Sequence, residues 1–135
     1  MGDRCNWGFK SGDHTIFLYG HWEGHEMMNK LAHAIDSARS RWDDPAYATR
    51  IAITYLVDQD RSSLTETGWG LSVDSLSDNE HKVPVVSWDT RYSSFGDDNK
   101  GSVSLYTEHD AITQKSPIYT MSLEIFVKKF SKIKV

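Results

Sequence analysis

The sequence predicts an α+β fold over residues 1–135, taken as a single domain. It is a mainly antiparallel sheet with two helices between strand pairs and a short C-terminal helix, in the order ββααβββα. Three observations carry this. Two β-rich runs, DRCNWGFK and TIFLYGHW, flank a Ser-Gly-Asp turn at 11–13 and read as a hairpin. From His25 the apolar spacing changes from two to three and four residues, the mark of an amphipathic helix. After residue 68, runs of β-type residues return, separated by short polar turns.

The first helix carries its stripe on Met28, Leu31, Ala32, Ile35, Ala38 and Trp42, with Arg39 and Arg41 suiting the negative end of its dipole. A second helix begins at Asp44-Pro45, a carboxylate cap followed by proline in the first turn. Tyr47, Ala48, Ile51, Ala52, Tyr55 and Leu56 continue it. The β-branched content of 51–57 leaves a strand open there, and the spacing favours helix. Residues 58–68 read as a polar loop. GWGLSVDSL alternates, with Trp69, Leu71 and Val73 on one face. VPVVSWDT is a further strand beginning at, or forming an edge near, Pro84, and SVSLYT is another, with Val103 and Leu105 inward. Gly96–Gly101, rich in acids, reads as a mobile loop. Ser122 caps a final helix with Glu124 in its first turn, Leu123, Phe126, Val127, Phe130 and Ile133 or Lys134 at helical spacing, and lysines at its end.

At 135 residues the chain can bury a core without disulfides, and one cysteine, Cys5, offers no internal bridge. A buried inert thiol and a reducing cytoplasm are the expectation. There is no signal-peptide pattern and no apolar run of membrane-spanning length. The opening MGDRCN has Asn6 where a myristoylation signal needs Ser or Thr. Residues 1–127 hold all 19 acids against 11 of the 15 basic residues, a formal −8, whereas KKFSKIKV carries +4. An acidic body disfavours duplex nucleic acid, and the lysine tail reads as dipole-compensating and solvating.

The stretch LYGHWEGHE raises the question of a metal site, because His21 and His25 stand four apart. Both rings reach one ion only on a helix, and Gly20 and Gly24 argue against one there. A third ligand, His81, would have to come from elsewhere. The expectation is strand, turn and helix start, with no metal and no cofactor. No nucleophile elbow, phosphate loop or dinucleotide fingerprint occurs. Asp43/Asp44 and Asp97/Asp98 read as a cap and a loop. The set with most chemistry is aromatic and basic: Arg4, Lys10, His21, Trp22, Arg50 and Trp69. Aromatic faces stack on bases, and Arg and Lys pair with phosphate, so convergence at one end of the sheet would make a ligand-binding pocket. Against this, Trp42 and Trp69 are equally suited to the core, and Arg50 to an ion pair.

The blocks DRCN, LYGHW, RWDDPAYATRI, GWGLS, DNEHKVPVV and SLEIFV, spread over nearly the whole chain, resemble a group of short accessory proteins of tailed phages of actinobacteria. That resemblance implies the cytoplasm of an infected bacterium and a role against the host or its defences. It transfers no catalytic residue. Three activities are then in view. One is a non-catalytic binder sequestering a small anionic, nucleotide-type signal, with a pocket between subunits of a homo-oligomer. Another is an inhibitor occupying a host protein through an acidic surface. The third is a metal-dependent hydrolase using His21, His25 and His81.

Overall fold

A computed structural model describes residues 2–58, 68–89 and 100–132. Strands β1 (Cys5–Ser11) and β2 (His14–Gly20) form the expected hairpin. Gly12, with φ +61°, takes the first central position of the two-residue turn, where the strand twist calls for positive φ. A single 3₁₀ turn, Gly24–Glu26, leads into α1 (Met27–Ser37), and another, Arg39–Arg41, leads towards α2 (Pro45–Val57). There follow β3 (Trp69–Val73), β4 (Val83–Ser87), β5 (Ser102–Tyr106), the one-turn α3 (Glu108–Ala111), β6 (Tyr119–Ser122) and α4 (Leu123–Phe130).

The six strands make one sheet in the order β3-β2-β1-β4-β5-β6. Four of the pairings are antiparallel, as expected, and the central β1–β4 pair is parallel. Parallel pairing needs a long crossover, and the chain between β1 and β4 supplies it with both helices and β3. Two elements escaped the sequence pattern. The four residues of β6 are too short to show alternation, and α3 is one turn, capped by Thr107 accepting from the Asp110 N–H.

Residues 51–57 are helical. The Asp44 side chain caps α2 by accepting from the Tyr47 N–H, and Ala48, Ala52 and Leu56, with Thr49, bury one stripe. In α4 the Ser122 hydroxyl accepts from the Ile125 N–H at 3.2 Å, and Leu123, Phe126 and Val127 are buried. Ile133 and Lys134, residues 59–67 and most of the loop expected at 96–101, including Asp97 and Asp98, lie outside the described residues.

The helices α1, α2 and α4 pack on one face of the sheet. Cys5, Trp7 and Phe9 of β1, with Val86, Trp88 and Val103, meet Leu31, Ile35, Ala52, Leu56 and Phe126 there. The two largest buried side chains keep their polar atoms paired. The Trp7 indole N–H donates to the Met27 carbonyl at 3.0 Å, and that of Trp88 to Thr49 Oγ1 at 2.9 Å. On the opposite face a smaller cluster of Phe17, Val83, Val85, Tyr106 and Ala111 is joined by half-buried Leu76. No helix among the described residues is long and apolar enough to cross a membrane.

Candidate functional site

The chain ends of three strands are knitted into one corner. Beyond β1, the Asp3 N–H donates to the His21 carbonyl (2.8 Å) and the Gly24 N–H to the Asp3 carbonyl (2.9 Å). Beyond β2, the His21 N–H donates to the Gly68 carbonyl (2.9 Å), and on the other side the Glu80 N–H donates to the Arg4 carbonyl (2.9 Å). Backbone hydrogen bonds thereby tie Asp3, Arg4, His21, Gly24, Gly68 and Glu80 together just beyond the regular strands.

LYGHWEGHE folds as strand, turn and helix start, which separates the two histidines. His21 turns back, its Nδ1 2.5 Å from the Tyr19 hydroxyl and its ring edge-on to Trp22 at 4.6 Å. His25 joins Asp3 instead. One Asp3 carboxylate oxygen accepts from the His25 backbone N–H (2.7 Å) and meets His25 Nδ1 (3.0 Å), while the other meets His81 Nε2 (2.5 Å). Asp3 is thus the hub that brings His25 and His81 together. The His81 ring, then the His25 ring and N–H, hold its carboxyl down at about 2. Among the described residues, no three His, Cys, Asp or Glu side chains are grouped to hold a metal ion.

The linkage sign for Asp3 is fixed by this depression. Its contribution to stability is present above the unfolded carboxylate value near 4 and is lost as pH falls through about 2. Asp3→Asn removes the titration while keeping the shape. The expected result is a wild-type denaturation midpoint that falls more steeply than that of Asp3→Asn between about pH 4 and pH 2. Parallel profiles in urea melts at stepped pH would refute the hub.

Two glycines lie at close approaches. A Cβ on Gly24 would run into the His81 imidazole and the Asp3 carboxylate and displace them from each other. Gly68 has φ +135°, and a Cβ there would lie 2.6 Å from the Trp22 ring. Trp22 therefore lies over Gly68, yet it is 52% exposed. Trp69, next along, is half-buried and stacked on Trp7 with centroids 6.2 Å apart.

Arg4 is held by acids. Its Nε donates to Glu80 Oε1 at 3.1 Å, its backbone N–H donates to the same oxygen at 2.9 Å, and its guanidinium lies 3.6 Å from Asp78. The Arg4 N–H and then its guanidinium keep Glu80 below the usual carboxylate range. Asn6, fully buried on β1, anchors the loop carrying these acids. Its Nδ2 faces the carbonyls of Ser77 (3.4 Å) and Asp78 (3.2 Å) and Asn79 Oδ1 (3.2 Å). Beside this loop lies a shallow open depression of about 430 Å³, lined by Asn79, Glu80, His81, Lys82, Thr107 and Glu108.

Of the six aromatic and basic residues singled out, Arg4, His21, Trp22 and Trp69 stand at neighbouring strand ends: His21 and Trp22 touch, whereas Trp69 turns to the helix-side core against Trp7 and Arg4 pairs with Glu80 and Asp78. Lys10 is at the far end of β1, about 20 Å away at ~3.3 Å per residue, and Arg50 is exposed on α2. Trp42 is half-buried against the core and donates its indole N–H to the Ile35 carbonyl at 2.8 Å. Cys5 is buried, and burial first, then the charges of Glu23 and Asp3, push its thiol up to about 12, which leaves it no nucleophile at neutral pH. Asp3, Asn6, Asn79 and Glu80 were not legible as site residues, since a lone polar residue near a strand end has no distinguishing spacing. Comparison with protein-family models, with curated proteins and with solved structures finds no match.

Proposed function

We propose that the protein is a non-catalytic binder that occupies a partner protein through this corner. The observation that supports the reading most is Trp22: a large aromatic side chain, half in solvent, lying over Gly68 and edge-on to His21. An exposed aromatic beside polar surface is a frequent anchor of a protein–protein interface. Towards β4 and β5 the same end of the sheet has an acid-rich rim, with Asp3, Asp78, Glu80 and Glu108 against Arg4 and Lys82. Such a surface suits a basic protein face, and it steers association as well as selecting the partner. Asp3, His25 and His81 are engaged with one another. On the resemblance to short accessory phage proteins, the partner is a protein of the infected bacterium.

A second reading, sequestration of a small nucleotide-type signal, draws on Trp22, His21 and Arg4 at neighbouring strand ends. It requires Arg4 to exchange Glu80 and Asp78 for a phosphate. The depression beside the corner is open, whereas captured small ligands are mostly enclosed.

Trp22→Ala separates these readings from a structural role. Because Trp22 is exposed, the variant is expected to melt with wild type. Its affinity for a host protein captured by the wild-type bait should fall by at least tenfold, as hot-spot truncations of about 2 kcal/mol do. Unchanged retention of that partner would refute the corner as the binding surface. A thermal shift with a nucleotide, lost in Trp22→Ala, would select the second reading.

A further inference from the structure

Strand β3 is an edge strand, and its sequence WGLSV carries neither charge nor proline. Edges that must stay unpaired usually carry one or the other. On the helix-side face β3 presents Trp69, Leu71 and Val73, in register with Gly20, Leu18 and Ile16 of β2. The helices do not reach that far: Leu71 is 66% and Val73 60% exposed.

The hydrogen-bond phase of the edge is fixed by its ends. The His21 N–H donates to the Gly68 carbonyl and the Asp74 N–H to the Thr15 carbonyl, so residues 68, 70, 72 and 74 face β2. Trp69, Leu71 and Val73 then turn their N–H and C=O groups outward. No strand among the described residues pairs with that side.

We propose that β3 pairs antiparallel with β3 of a second copy of this chain, about a two-fold axis at Leu71. The edge is self-complementary in that register. Leu71 opposes Leu71 of the second copy and Trp69 opposes its Val73. All of these are outward-facing residues, so each pair exchanges both N–H and C=O. Apolar side chains meet on the helix-side face, and Gly70 opposes Ser72 on the other. Asp74, already paired with His14 at 2.7 Å, falls opposite Gly68, so no like charges are opposed. A second copy is favoured over a foreign strand because this pattern is its own complement, as an isologous interface requires. The contact continues the sheet through the dimer and brings Asp74 of the second copy alongside Gly68, at the border of the corner.

The test is register-specific crosslinking with two single cysteine variants, since the native Cys5 is buried. The axis places the Leu71 Cα atoms of the two copies about 5.5 Å apart, within disulfide reach, and the Val73 pair about 13 Å apart. Under a mild thiol oxidant, Leu71→Cys is expected to give a covalent dimer and Val73→Cys to remain uncrosslinked. Leu71→Lys, at an exposed position, should melt with wild type at dilution where both are monomers, and lose the dimer in sedimentation. Absence of a Leu71→Cys dimer, or equal crosslinking at Val73→Cys, would overturn the pairing. So would a wild-type chain that stays monomeric at about 100 μM, or a dimer indifferent to Leu71→Lys.

Discussion

Replacing Trp7 by alanine is expected to cost about 3–5 kcal/mol, a large part of the ~5–15 kcal/mol that holds a domain of this size. Trp7 has no solvent exposure. Its ring stacks on Trp69 and lies close under Gly20, where a Cβ would approach it to 3.1 Å. Its indole N–H donates to the Met27 carbonyl at the start of α1, so truncation leaves a cavity and removes a buried hydrogen bond. Trp7→Phe refills most of the cavity and should cost only about 1–3 kcal/mol. Urea unfolding followed by circular dichroism gives both values. A Trp7→Ala midpoint close to that of wild type would mean that the joint between β1, β3 and α1 is not where the fold is held.

Asn6→Asp is expected to be nearly as damaging, at about 3–5 kcal/mol at neutral pH, through a different mechanism. The amide nitrogen of Asn6 is the donor to the Ser77 and Asp78 carbonyls and to Asn79 Oδ1. A carboxylate in its place would be a buried charge facing three acceptors. Burial raises the folded-state pKa of such a group above its unfolded value, so the deficit relative to wild type should shrink as pH falls and the new acid protonates. The same change should loosen the loop that carries Asp78, Glu80 and His81, and with it the acidic rim. Urea midpoints of the two proteins at neutral and mildly acidic pH supply the check. A deficit independent of pH would contradict a buried charge as its cause.

The parts of this architecture that were legible in the sequence are those written locally. Asp44-Pro45 announces α2 by its cap, Ser122 announces α4, and Gly12 marks the hairpin turn. The β-branched run at 51–57 folds as helix because Ala48, Ala52 and Leu56 meet the sheet at helical spacing, and packing outweighs propensity. The parallel β1–β4 pair was not legible, because strand direction within a sheet is decided by where the helices carry the chain. The site was half legible. Arg4, His21, Trp22 and Trp69 were chosen for stacking and charge and stand at neighbouring ends of β1, β2 and β3, but Trp69 turns to the core against Trp7. Lys10 was chosen on the same grounds and lies at the other end of its strand. Whether a cation is free or spent is a property of space: the acids that hold Arg4, Asp78 and Glu80, come from more than seventy positions along the chain.

The most direct test of recognition through the corner is hydrogen exchange on the protein alone and in complex with its captured partner, at equal protein concentration. Slowed exchange is expected in residues 2–4, 20–25 and 78–82, the segments that build the corner. Slowing confined to the outer face of α2 around Tyr47 and Arg50, with the corner unchanged, would contradict it.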